Sequence, residues 1–454
     1  MNSFLQNKHL LHRAGFGIDL KNFQKLKNTS PQEVWKELLN KSENFSPIEI
    51  PNMIDFSDYK PKEATSEMKK KFQQKSKEEN AEIILSWYQK MIDSESQLRE
   101  KMAFFWTGIF ATRTVVSRFN LQLLNIIKEN ALGNFGDLLL AVSQSPSMLQ
   151  FLNNQQNKKD HPNENFAREV MELFTMGRGN YTETDIKEAA RAFTGWSFLP
   201  NGTFFERPRL HDYGEKTFLG KTGNFDGNDI LKIILEQKAT AKYIAKKMYQ
   251  FFVNENIDDN LVNQLAEKFY HSKYDIKTIL NEIFTSKWFF DEKNIGNKIK
   301  SPIELMVGIQ RILPISVENP KSLIIFQKLL GQMLLFPPNV AGWPHGKAWI
   351  DSSTLMLRLK IPQIWSGIIS LDYAPKDDDD MNMGMQKMLP KNLQGNFKID
   401  WESVSKILKN ENLEDVLLQS KKSIPENVIN EFEIEDEFKS RVIALMSTPE
   451  YQLC

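Results

Sequence analysis

Residues 161–196 read HPNENFAREVMELFTMGRGNYTETDIKEAARAFTGW, and their spacing sets the fold class. Phe166, Ala167, Val170, Met171, Leu173 and Phe174 recur at the three- and four-residue intervals of an amphipathic helix. At ~100° per residue, Glu164, Asn165, Arg168, Glu169, Glu172 and Thr175 fall on the other side, within an arc of roughly 140°. A second helix is capped by Thr182 or Thr184, runs through IKEAARAF and stops at Gly195-Trp196. Lys187, Glu188, Arg191 and Thr194 share one of its faces. Ala189, Ala190 and Ala192 line the other, where small side chains let a neighbouring helix approach closely.

The same period extends in both directions. Ser30-Pro31-Gln32-Glu33 is a capping box with Pro at the first helical position. Helical patterns follow at 65–93, 95–112, 119–131 and 135–143, and again at 227–236, 239–253, 260–271, 275–287, 302–312, 321–335 and 352–360. The period lapses between Trp196 and Gly227. There Asn201-Gly202, between SFLP and TFFE, predicts a hairpin with a two-residue turn whose central positions both need positive φ. A helix closing on Ser or Thr before an apolar residue recurs at 138–149, 279–290 and 442–453, a helix-ending device with simple backbone reasons. The expected fold is therefore mainly α: a multi-helix array with a small hairpin and loop insertion at 196–227. Residues 1–374 form the main domain and 375–398, with its Asp377–Asp380 run, a linker. Residues 399–454 form a helical segment that packs on the main domain.

Fifty-eight basic residues balance 58 acidic ones, which removes the long-range pull toward nucleic acid. With one cysteine, Cys454, no intramolecular disulfide or cysteine metal cluster can form. No window approaches ~18 uninterrupted apolar residues, so no membrane span is expected. Met1–Gly17 has no export signal pattern, and the expectation is a cytoplasmic protein.

Candidate chemistry concentrates in three places. On the first helix, Glu169 and Glu172 lie three apart and can share acid–base work or hold a divalent cation, while Arg168 can pair with Glu164 or Glu172. An ordinary solvated face, capped by Asn163, explains the same residues. In the insertion, His211-Asp212-Tyr213-Gly214-Glu215-Lys216 offers His211 as a proton carrier. Gly220-Lys221-Thr222-Gly223 lacks the spacing of a phosphate loop, and neither a nucleotide nor a haem signature is present. The third place is FPPNVAGWPHG (336–346), whose prolines and glycines break the helical array and whose Trp343, like Trp196, can offer a flat face to a sugar or another ring. The candidate catalytic residues are Glu169, Glu172 and His211. The candidate ligand-binding residues on the two helices and just before them are His161, Asn163, Glu164, Arg168, Glu188, Arg191 and Trp196. Asp212 and Lys216 in the insertion, with Asn339, Trp343 and His345 in the loop, complete the set.

These segments, with HLLHRAGFG (9–17), REKMAFFWTGIFAT (99–112), ALGNFGDLLLAVSQSPSML (131–149), HDYGEKTFLGKTGNFDG (211–227) and PPNVAGWPHGKAWIDSSTL (337–355), stand in the order of a large bacterial family. The chain resembles the domain of unknown function 1800 over most of residues 1–370. The resemblance implies a mostly helical fold but brings no established activity. It also implies a frequent genetic neighbour, the domain of unknown function 1501 family, which is similar to sulfatases and alkaline phosphatases. Many members carry export signals, and many read WHxHFAT where this chain has Trp106-Thr107-Gly108-Ile109-Phe110-Ala111-Thr112. Two readings follow. One is a ligand- or partner-binding accessory protein that works with the sulfatase-like neighbour. The other is a hydrolase of carbohydrate or anionic esters, with Arg168 and Arg191 as anion clamps.

Overall fold

The computed structural model of the protein describes residues 3–53, 64–370, 397–419 and 436–454. Among them are 20 α-helices, one π-helix and three two-stranded antiparallel sheets, so the chain is mainly α. Caps fix many helix starts. Reciprocal boxes join Ser30 to Glu33, Thr182 to Asp185, Asp226 to Asp229 and Ser301 to Glu304. One continuous apolar core runs from Leu10 to Tyr451 through nearly every helix. The recurring helix-ending device is local: Ser145, Ser286 and Thr448 hydroxyls each donate to a carbonyl three or four residues back.

The first helix of the opening stretch departs from its α pattern. Asn165–Glu169 is α, but Val170–Thr175 is a π-helix. The backbone N–H of Met176 reaches Met171 O at 2.9 Å, five residues back. This wider turn moves Thr175 off the polar face: it is fully buried and its hydroxyl donates to Val170 O at 2.6 Å. π-turns inside α-helices are frequent at functional sites.

The insertion holds two hairpins. In the first, β1 (Trp196–Phe198) pairs with β2 (Phe204–Glu206), but its turn is not the two-residue form expected at Asn201-Gly202. Leu199 N–H bonds Thr203 O, and Gly202 N–H bonds Leu199 O, both at 2.8 Å. Only Gly202 takes positive φ (87°). Pro200 and Asn201 therefore make the turn and Gly202 is the left-handed residue after it, a three-residue loop. The two-residue geometry occurs instead in the second hairpin, β3 (Lys216–Phe218) with β4 (Lys221–Gly223), where Leu219 and Gly220 have φ of 47° and 78°.

In the third sheet β5 (Ile315–Val317) pairs with β6 (Phe397–Ile399). Asp377–Asp380 and the rest of 375–396 lie outside the described residues. The end of the chain is stitched to its start and middle: Cys454 N–H bonds Lys298 O (2.8 Å), and Lys8 Nζ donates to the carbonyls of Asp415 and Leu418. Among the described residues no helix is long and apolar enough to cross a membrane.

A pocket between distant segments

A cavity of about 370 Å³ opens where five parts of the chain meet. The end of the Gln97–Ile109 helix contributes Phe104, Phe105, Gly108 and Ile109, and the π-helix contributes Leu173. The Lys238–Phe252 helix supplies Tyr243, Lys247, Gln250 and Phe251. Lys298, Ser301 and Glu304 lie at and before the start of the Pro302–Ile312 helix, and Trp343, His345 and Trp349 come from the loop and the turn after it. Gly342 explains how the loop gets so close. It has φ of 87°, and a Cβ there would sit 2.4 Å from the Gly108 carbonyl oxygen. At Gly346 a Cβ would collide with the Glu255 carboxylate, which rests on that stretch of backbone. Asn339 does not line the cavity; its side-chain oxygen accepts from Ala341 N–H (2.9 Å) and holds the turn.

The charges around the cavity are unevenly matched. Glu304 is buried and accepts from Lys101 (2.5 Å), Lys298 (3.2 Å) and the Ser301 N–H (2.8 Å), so one carboxylate serves two lysines. Burial alone would raise its pKa, but the two ammonium groups hold it well below the carboxylate range. Lys298 also lies over the Phe251 ring at 4.3 Å. Lys247 sits over Tyr243 at 5.4 Å with no carboxylate of the described residues within ion-pair distance, and burial lowers its pKa. His345 keeps an edge open to solvent. Partial burial, then the nearby Lys247 and Lys298, push its pKa below the usual histidine value, so the ring stays neutral at pH 7. Trp343 is nearly buried and its indole nitrogen has no hydrogen-bond partner.

Residues 9–453 match the family described as "Protein of unknown function (DUF1800)". The chain belongs to that family. No curated protein and no solved structure matches it. The two positions where many members of the family carry histidine behave differently here. Thr107 is buried with its hydroxyl on Phe104 O (2.9 Å), whereas Ile109 faces the cavity.

The other candidate residues gather in separate groups. Arg168 makes a two-pronged ion pair with Glu183 (2.8 Å each) and a longer one with Glu164 (3.3 Å) on an open face. Glu172 accepts from Arg178 (2.5 Å) and from the Tyr181 hydroxyl (3.1 Å). Glu169, half-buried, has its pKa raised first by burial and then by the Glu172 charge. Arg191 joins Glu188 (2.8 Å) to Asp212 (2.8 Å), and Lys216 donates to the Asp212 carbonyl (2.6 Å). These bonds tie the insertion to its neighbouring helix. His211 is buried; its Nδ1 donates to Thr194 O (2.8 Å) and lies 3.5 Å from Glu206. Trp196 is core, packed edge-on against Phe193 and Phe204. His161 is exposed; Asn163 accepts from Asn165 N–H (3.0 Å) in the turn before the helix, whose N-cap position falls on Glu164 rather than on Asn163. Among the described residues no group of three or more His, Cys, Asp or Glu side chains is placed to share a metal ion.

Sequence reasoning found Trp343 and His345 but not Lys101, Lys247, Lys298 or Glu304. A partial signal existed: Ser301-Pro302-Ile303-Glu304 is a capping box, which places Glu304 at the start of a helix. Nothing local reveals that Lys101, about two hundred positions earlier, reaches it.

Proposed function

We propose that the protein is a ligand-binding accessory protein and that the cavity beside Trp343 receives the ligand. The observation carrying this reading is convergence. Gly108 and Ile109, Leu173, and the stretch from Val340 to Gly346 come from three family-matching segments and wall one aromatic cavity with a few polar groups. That is the ordinary character of a small-molecule site. Action beside a sulfatase-like partner rests on the family resemblance alone, and co-purification with that neighbour would test it.

The pocket itself is tested by filling it. Ile109→Trp adds bulk to a partly exposed wall, so the fold should survive. Thermal-shift screening of the wild type against sugars and anionic esters should yield ligands whose shift the variant loses. Equal shifts in both proteins would place the ligand elsewhere.

A second reading, a hydrolase of carbohydrate or anionic esters, is favoured by the Glu169–Glu172 pair. The two carboxyls are near enough to interact, and among the described residues Glu172, but not Glu169, makes an ion pair with an arginine. Such an asymmetry separates an acid from a base. If the same panel releases product, and Glu169→Gln abolishes release while Ile109→Trp does not, the hydrolase reading replaces the first.

A further inference from the structure

The wall of the cavity bearing Lys298 and Glu304 continues into a buried patch of positive charge. Arg13, Lys300 and Arg358 are each at most 1% exposed. Arg358 Nη2 donates to the Lys300 carbonyl, and Lys300 Nζ donates to Tyr451 O (2.7 Å). Arg13 donates to the carbonyls of Asn294 (3.0 Å) and Cys454 (2.8 Å). The oxygens of Lys300, Tyr451 and Asn294 are neutral and cancel no charge, whereas Cys454 acts on Arg13, Lys300 and Arg358 as a negative group. The Nε and Nη1 of Arg13 and the Nη1 of Arg358 are buried with no hydrogen-bond partner among the described residues. Together with Lys101 and Lys298, five cations face Glu304 and the negative charge felt at Cys454. Among the described residues one further carboxylate lines the cavity, Glu255, which is exposed yet also acts on Arg13. Lys247, also lining the cavity, adds a sixth cation.

We propose that the cavity takes an anionic ligand, whose acidic group docks between Lys247 and Lys298 while its ring lies along Trp343, Trp349 and Phe251. This rests on the reading of the cavity as the binding site and adds the chemical class of what it binds. The low-dielectric wall lets the field of the buried cations reach the cavity with little screening. Lys247, free of any carboxylate, can meet a sulfate, phosphate or carboxylate without first breaking an ion pair. The aromatic walls supply the contact for a ring, and the neutral imidazole of His345 can donate a hydrogen bond at the mouth.

The test compares matched probes by calorimetry: phenyl sulfate, phenyl phosphate and benzoate against benzyl alcohol, and glucose 6-sulfate against glucose. At least one anion should bind about tenfold or more tightly than its neutral counterpart, and more weakly as salt is raised. Lys247→Gln should remove that preference and Lys247→Arg should keep it. Both variants should melt within about 2 °C of the wild type, because Lys247 is partly exposed and makes no ion pair among the described residues. Neutral probes binding as tightly as anionic ones, with Ile109→Trp abolishing both, would overturn the anionic assignment and leave the pocket standing. Binding of anions that neither Ile109→Trp nor Lys247→Gln alters would overturn both. Binding of no probe would count against both.

Discussion

The polar helices with their hairpin insertion and the pocket beside Trp343 handle charge in opposite ways. Around residues 164–216, arginines find carboxylates at the surface: Arg168 with Glu183, Arg178 with Glu172, Arg191 with Glu188 and Asp212. Around the pocket, cations outnumber carboxylates, and the partners that remain are carbonyl oxygens and aromatic rings. The first region is dense in charged letters yet close to neutral once paired. The second is sparse in any one stretch of sequence and assembles its imbalance from the two ends and the middle of the chain. A functional surface is therefore better sought in what stays unmatched after pairing than in how many charges a segment holds.

The contrast predicts its largest effect at Glu304. Glu304→Gln removes the carboxylate that pairs with both Lys101 and Lys298, leaves Lys101 only the more distant charge at Cys454, and weakens the cap on Ser301. Breaking a buried pair in this way costs about 3–5 kcal/mol. Urea unfolding should show a loss of that order. A loss below about 1 kcal/mol would mean that the pocket wall tolerates unmatched cations, and the contrast would fail.

Titration gives the next effect. Burial lowers Lys8 from its ordinary value to about 7 and Lys300 to about 8. Between those values and about 10.4 the unfolded chain holds more protons than the folded one, so stability rises with pH. From pH 7 to 9 the gain is on the order of 3 kcal/mol for the two groups together. On the acid side His9 and His12, both held neutral chiefly by burial, act in the same direction: stability falls as pH drops below about 6.5. Thermal melts from pH 5 to 9 should climb throughout, and Lys8→Met should flatten the alkaline half. A melt that peaks at neutral pH would show that the buried amines are hydrated.

How far the sequence disclosed all this depends on the range of the interaction. Helices were legible because their caps and periods are local, as at Ser30–Glu33 and Thr182–Asp185. The π-helix at Val170–Thr175 was not, since its composition is that of an α-helix and its extra residue per turn depends on packing, as with Tyr243 donating to Leu173 O (3.0 Å). The turn type at Asn201-Gly202 was not legible either, because Pro200 enters the turn and lengthens it to three residues. Trp343 and His345 stood out because a loop rich in Pro and Gly interrupts strong helices. Lys101 and Lys298 did not, because a lysine in a helical sequence reads as surface until its neighbours are known.

The smallest effect sharpens the comparison from the other side. Glu183 makes the best-aligned ion pair of the polar helices, two 2.8 Å bonds to Arg168, but its side chain is 68% exposed. Arg168 also keeps Glu164 at 3.3 Å when Glu183 is neutralised. Glu183→Gln should therefore leave the unfolding midpoint close to that of the wild type, and closer still as salt is raised. The same unfolding measurement used for Glu304→Gln makes the two directly comparable. Two-pronged geometry would favour Glu183; burial and a shorter contact with Lys101 favour Glu304. A Glu183→Gln cost matching that of Glu304→Gln would mean that pairing geometry, not charge imbalance under burial, governs this fold.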